Sequence, residues 1–308
     1  MIIAMKGIIS EIVVVRQHSY ILEKISHALR KIMNFLGVID EMKIFDSIII
    51  KLNLCDARTP DTGTITHPVI LEALLKILRE VFPEKRIMAA EGDSGSVLAD
   101  LYIKWFGFEE ILRKYDAEWV NLLKVKRIKK RIDGYYFKEI EVPAVFEGAY
   151  FITLPKLKTN IVTGITASLK NQYGCLCVLK KNVYHDVVDE VIVDINLAIK
   201  PHLCIVDGIV GMGGVQGPAF GIPIPAGVLI GGKDPVAVDA LCARIIGFNP
   251  RSIKHIKLAA KAGLGSLKYR VVGDPMPRVN FEVNRFLMRV LRFAIERQQR
   301  VLKETLGA

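Results

Sequence analysis

The stretch 149–174, AYFITLPKLKTNIVTGITASLKNQYG, decides the fold. Its apolar run 150–154 reads as a buried strand. Pro155 has no N–H to give to a ladder, so the strand is expected to stop there. Lys156, Lys158, Thr159 and Asn160 are then expected on a loop. Thr163 and Gly164 lead into a predicted helix that carries Lys170, Asn171 and Gln172. In an open α/β sheet, ligands sit beyond the carboxyl ends of the strands. Two lysines on such a loop, with a third reaching in from the next helix, predict a positive pocket. The bland alternative is a strand end with snorkelling lysines. Function is favoured because strand-end loops are where α/β folds keep their chemistry.

Outward from this stretch, apolar runs alternate with helical patterns. Residues 11–16, EIVVVR, read as a strand, and 19–35 as a helix with Leu22, Ile25, Leu29, Ile32 and Met33 on one face. A second strand, 47–54, brings Lys51 and Asn53 to its end. Thr66 is the expected N-cap of a helix that starts at His67 or Pro68 and runs to Val81. His67 is either a capping residue or an acid/base. The strand 85–91 ends in Glu91 and Asp93, beside glycines. One or two helices broken at Gly107 fill 97–115, and 183–199 is helical. The strand 201–206 ends in Asp207, followed by an expected glycine-rich loop that includes Gly211, Gly213 and Gly214. Such a loop exposes backbone N–H groups to a ligand. After the strand 226–230, Asp234 is placed to cap a helix whose first position is Pro235. Asp239 on that helix needs a partner, either a cleft lysine such as Lys170 or an internal hydrogen bond. A helix over 252–262 and a strand over 269–272 complete the pattern. The expectation is an α/β fold with a mostly parallel sheet and helices on both faces. One domain spans 1–275, and 276–308 form a C-terminal helical extension.

The formal net charge of +11 points to an anionic ligand or partner without choosing among metabolite, nucleic acid and membrane surface. Six of the eight residues 124–131, KVKRIKKR, are basic, and Tyr135, Tyr136 and Phe137 follow the turn at Asp133-Gly134. This basic β-hairpin either binds nucleic acid or guards a sheet edge with lysines. The C-terminal stripe of Val283, Phe286, Leu287, Val290, Leu291 and Ala294, with arginines beside it, reads as an amphipathic helix docked on its own domain or on a second copy; the alternatives are a helix that lies on a membrane or meets a partner, or that joins the hairpin in binding nucleic acid. Five cysteines show no C-x-x-C spacing, which argues against a zinc or iron–sulfur site built from this chain alone. No apolar run reaches 18 residues, and the start, MIIAMKGIIS, lacks a signal-peptide pattern. A cytoplasmic protein with no transmembrane segment is expected. Gly-Asp-Ser-Gly at 92–95 matches the nucleophile loop of trypsin-type proteases in four letters only, with no barrel pattern around it, and is set aside.

Several phrases in order carry a resemblance: KLNL at 51–54, LPKLKTN at 154–160, TGITASLKNQYG at 163–174, IVDGIVGMGG at 205–214 and GGKDPVAVDA at 231–240. From Lys51 to Gly273 the chain resembles the domain-of-unknown-function family numbered 362. The resemblance implies the fold and the location of the site, and no reaction. It also implies a redox-partner reading, because many members carry ferredoxin-like segments with closely spaced cysteines; this chain has no such spacing. Members commonly read K-T-H where this chain has Lys158-Thr159-Asn160, and Asn160 can neither shuttle a proton nor act as an imidazole ligand.

The site expected from these readings is a lysine/carboxylate cleft for a small phosphate- or carboxylate-bearing ligand. Lys156, Lys158 and Lys170 would stabilise anionic oxygens, and Asp207 or Glu91 would serve as acid/base. Lys51, Asn53, Asp93, Thr159, Asn171, Gly211, Gly213, Gly214, Asp234 and Asp239 would complete the ligand contacts. A carboxylate there could also hold a divalent cation. The reading requires Lys156, Asp207 and Asp234 to share one face.

Overall fold

Alternation decides which way each strand faces. In the computed structural model, which describes residues 9–95, 97–214 and 220–306, Ile12 and Val14 of the first strand enter one apolar core while Val13 and Val15 enter another. Ile49 and its neighbours Ile48 and Ile50 split in the same way. A strand buried on both faces needs helices on both faces. In chain order the elements are β1 (Ser10–Arg16), α1 (Leu22–Leu36), α2 (Val38–Lys43), β2 (Ser47–Lys51), α3 (Pro68–Val81), β3 (Arg86–Glu91), α4 (Ala99–Trp105), α5 (Phe108–Lys114) and β4 (Glu118–Asn121). A hairpin of β5 (Arg127–Arg131) and β6 (Glu139–Pro143) precedes β7 (Ala149–Thr153), β8 (Lys156–Asn160), β9 (Gly164–Thr166) and the short α6 (Ser168–Asn171). Then come α7 (Val188–Ala198), β10 (Leu203–Gly213), β11 (Ile222–Ile224), β12 (Val228–Gly232), α8 (Pro235–Ile246), α9 (Lys254–Lys261), β13 (Tyr269–Gly273) and α10 (Arg285–Leu306).

The main sheet runs β13-β1-β12-β10-β7-β2-β3-β4. Along this path only β12 is antiparallel to its neighbours. Apolar residues of α1 and α3 fill the core on one face, and those of α7, α8 and α9 fill the other. This is the α/β architecture with a mostly parallel sheet. Among the described residues no helix is long and apolar enough to cross a membrane.

Three local expectations fail, and the first two shape the surroundings of the site. Pro155 interrupts the chain without ending the pairing: Lys156–Asn160 is a strand, not a loop, parallel to β10 and antiparallel to β9. The glycine-rich segment after Asp207 is likewise strand as far as Gly213. Its glycines leave room for neighbours. A Cβ on Gly211 would lie 2.6 Å from the carbonyl oxygen of Leu157, and one on Gly213 would lie 2.5 Å from that of Phe281. Gly214 donates its N–H to Phe281 O at 2.9 Å. Gly217, also part of that expected loop, lies outside the described residues. At the start of α3 the cap is His67, whose Nδ1 accepts from Val69 N at 3.2 Å. Thr66 instead accepts from Asn53 N and donates to Leu154 O, both at 2.8 Å, tying the ends of β2 and β7 together.

Candidate functional site

Beyond the carboxyl ends of β2 and β3 lies a cleft of about 920 Å³, in the size range of small-molecule sites. β2 and the loop after it supply Lys51, Asn53 and Cys55. β3 supplies Glu91, β8 supplies Lys158 and Thr159, and α6 supplies Lys170 and Asn171. The turns that follow α6 add Tyr173, Lys180, Lys181 and His185, and Ile295 of α10 borders one wall. Among the described residues the lining thus holds five lysines and a single carboxylate.

That carboxylate is already engaged. Glu91 is 4% exposed and sits 2.5 Å from Lys51 Nζ. Its oxygens also accept from Leu54 N and Gly92 N, each at 2.9 Å. Gly174 allows this pair to form against its backbone, since a Cβ there would lie 2.7 Å from Glu91 Oε1 and 2.8 Å from Lys51 Nζ. The other two buried lysines of the lining are held by neutral groups. Lys158 Nζ donates to Asn53 Oδ1 and Thr64 O, both at 2.7 Å, and lies 3.1 Å from Cys55 Sγ. Lys181 Nζ donates to the backbone carbonyl of Asp93. Burial pushes the Lys181 ammonium below the usual lysine range. Neutral acceptors orient an ammonium while leaving its charge available to an anion.

Lys170 is different. Among the described residues its Nζ has no hydrogen-bond partner, and it lies 5.3 Å from the centroid of the Tyr173 ring. Burial, and then the charge of Lys158, hold it down to about 8. His185 is likewise pushed down to about 4, by burial and by Lys170, so it is neutral at pH 7. Asn171 donates to Thr153 Oγ1 at 2.8 Å, while its buried Oδ1 is unpartnered among the described residues. Asn160 turns its Oδ1 onto Val162 N and Thr163 N, closing its own turn.

Several expected site residues lie elsewhere. Lys156 and Asp207 form a buried ion pair at 2.8 Å, with both side chains within 1% of full burial. Tyr20 closes that pair, its hydroxyl 3.0 Å from Lys156 Nζ and 3.0 Å from Asp207 Oδ1. Tyr20 in turn stacks on His67 with ring centroids 3.6 Å apart. Neither Lys156 nor Asp207 lines the cleft. Asp93 caps the backbone at Ala99 N (2.7 Å) and accepts from Asn121 (3.0 Å). Asp234 caps α8 and bonds Ser10 Oγ at 2.6 Å, beside the amino ends of β1 and β10, because β12 is antiparallel. Lys156 and Asp207 therefore meet but Asp234 does not share their face, so the expected cleft around all three does not form, and the cleft that does form is lined by other lysines. Asp239 takes the internal hydrogen bonds, accepting from Ser168 N (2.7 Å) and Leu169 N (3.1 Å), and so anchors the helix that carries Lys170. Burial raises its carboxyl to about 8. Gly211, Gly213 and Gly214 do not line the cleft, whereas Met212 between them does. Sequence reasoning missed Cys55, Lys180, Lys181 and His185 as site residues. The only signal was the Lys180-Lys181 pair, which reads equally well as a solvated turn.

The family model described as domain of unknown function DUF362 matches residues 48–244. The chain belongs to the DUF362 family. The matched region contains β2, β3, β8, α6 and the turns that build the cleft. Among curated proteins, the thylakoid-associated protein sll1697 of Synechocystis sp. is 24% identical over 265 residues, which cover 83% of this chain and 80% of that protein. The DUF362 signature phrases noted above thus fall both on the cleft, as at Lys51, Lys158 and Lys170, and on structural anchors such as Asp239. Among the described residues no cluster of three or more His, Cys, Asp or Glu is placed to hold a metal ion.

Proposed function

We propose that this DUF362 protein is an enzyme that binds a small phosphate- or carboxylate-bearing ligand in the lysine cleft. The observation that carries the reading is the charge imbalance of the lining: among the described residues five lysines face one carboxylate, and that carboxylate is spent on Lys51. Lysines buried beside neutral acceptors are costly without a counter-charge. An anion that binds only the native state removes that cost and stabilises the fold. Lys158, Lys180 and Lys181 are the anion-holding groups of this reading. The cytoplasm is the compartment it expects, with the protein alone or as a homo-oligomer.

The nucleic-acid alternative draws less support. In the hairpin, Lys129 lies 3.1 Å from Glu139, Arg127 3.8 Å from Glu141 and Lys130 4.0 Å from Glu147, while Lys124 lies 2.6 Å from Asp100. Those carboxylates offset much of the charge that a phosphate backbone would need.

The test is thermal melting against phosphorylated and carboxylated metabolites, with Lys158→Ala and Lys181→Ala beside the parent. A rise in Tm with one anion class, reduced in both variants, is the expected result. No rise with any anion, together with salt-sensitive retention of nucleic acid, would replace this reading with the alternative.

A further inference from the structure

We propose that Lys170 is a Schiff-base nucleophile whose amine condenses with the carbonyl carbon of a small anionic aldehyde or ketone held in the cleft. The inference deepens the anion-binding reading and rests on it. Its basis is a contrast among lysines. Lys51 has Glu91, Lys156 has Asp207, Lys158 has Asn53 and Thr64, and Lys181 has the Asp93 carbonyl. Among the described residues Lys170 Nζ has no such partner; nor has that of Lys180, but Lys180 is exposed, whereas Lys170 is half-buried in the cleft wall. A lysine whose task is to hold an anion works as a fixed cation. A nucleophilic lysine must instead present a free lone pair, which a hydrogen-bonded, ion-paired ammonium lacks.

The surroundings favour the neutral amine. Lys158 on β8 repels a second positive charge at Lys170. His185, in the turn before α7, adds no negative charge. Cys55 and Asp189 act in the opposite sense, but Asp189 is already engaged by His255 and Arg292, each at 3.1 Å. The net result is an amine held down to about 8, so that roughly a tenth is unprotonated at pH 7, against well under a hundredth for an ordinary lysine. Desolvation beside another cation is a recognised route to a nucleophilic lysine.

The chemistry balances without a further reactant. The Lys170 lone pair attacks the carbonyl carbon, and the C=O π pair moves to oxygen. Proton transfer from nitrogen to that oxygen gives a neutral carbinolamine. Loss of the hydroxyl with the remaining amine proton, as water, leaves the C=N bond. Nothing is oxidised or reduced. Lys158 and Lys181, fixed by neutral acceptors, would hold the carboxylate or phosphate of the same substrate.

Reductive trapping tests this. The full chain is incubated with pyruvate or 2-oxoglutarate and cyanoborohydride, and adducts are located by peptide mass mapping. Lactate serves as the carboxylate without a carbonyl, and melting with each compound is followed in parallel. The expected result is adduct at Lys170 enriched at least tenfold over the exposed Lys31 and Lys104. In Lys170→Arg, which keeps the cation, the tenfold excess should vanish while the oxo acid still raises Tm. No enrichment at Lys170 while lactate or an oxo acid raises Tm would overturn the Schiff base and leave the anion site standing. No trapping and no Tm rise with either oxo acid, lactate or phosphate would remove both.

Discussion

Lys156 and Lys158 are two residues apart on one strand, yet they do different work. Lys156 is sealed by Asp207 and Tyr20, and Lys158 reaches across to Asn53 and Thr64 at the cleft. The register irregularity between their β10 partners, Asp207 and Met212, separates them. Asp207→Asn would leave a buried ammonium without its counter-charge, at a cost of roughly 3–5 kcal/mol. Urea unfolding should show that loss. Provided the variant is folded at the assay temperature, its anion affinity should change less than twofold. Lys181→Ala should do the opposite, weakening binding with little loss of stability. Lys170 adds a pH-dependent contrast. Its ammonium is held down to about 8, against 10.5 for an unperturbed lysine. Between those values the unfolded chain binds more protons, so stability rises with pH there, and below about 8 the full cost of the buried charge is present. Lys170→Met should therefore raise the ligand-free Tm at pH 7, and the gain should shrink as pH climbs from about 8 towards 10.5. A variant that lowers Tm at pH 7 would mean that the ammonium is stabilised in the fold.

At the scale of elements, the strands with apolar sequences were legible and the polar ones were not. β1, β2, β3 and β7 lie within a few residues of their apolar runs. β8 reads KLKTN, which by composition belongs on a surface, yet four of its five residues are buried. Its polar side chains are satisfied by partners more than 50 residues away in sequence, such as Asn53, Asp207 and Met212, so no local pattern reveals its burial. The glycines of β10 misled for a related reason. A glycine-rich run signals a loop when backbone freedom is needed, but here the missing Cβ atoms admit neighbouring backbone. The same principle yields a prediction at the turn after α6. Gly174→Ala would drive a methyl group against both partners of the Lys51–Glu91 pair. The expected effect is a loss of about 1–3 kcal/mol from overpacking, accompanied by weaker anion binding, since Lys51 and Glu91 line the cleft. Denaturant melts and ligand titration of the same variant would check both, and unchanged values would mean that the turn yields freely.

At the scale of the whole molecule, the C-terminal segment helps to wall the cleft. The helical extension 276–308, expected to dock on its own domain or on a second copy, packs on this chain: Phe281 and Met288 are buried, at 1% and 6% exposure. Phe281 covers Gly211 and Gly213 of β10. Ile295 borders the cleft, and Arg292 reaches Asp189 on α7 at 3.1 Å. The helix therefore spans from the sheet to the wall that carries Lys181 and His185. Only its amphipathic periodicity was readable in sequence; which apolar residues face the protein depends on surfaces assembled from distant strands. Phe286, Phe293 and Val290 remain exposed, so the helix buries one stripe and leaves another open. Deleting residues 285–308 while keeping Phe281 should leave the sheet folded, because both apolar cores are built almost wholly from earlier residues. It should also remove one wall of the cleft and free Asp189 from Arg292. With that wall gone, solvent reaches Lys170 and the desolvation that depresses its ammonium weakens. The truncated chain should then keep a cooperative melt, bind the anion several-fold more weakly, and lose most of the preferential trapping at Lys170. Undiminished trapping in a folded truncation would mean that the environment of Lys170 is set by β8 and α6 alone.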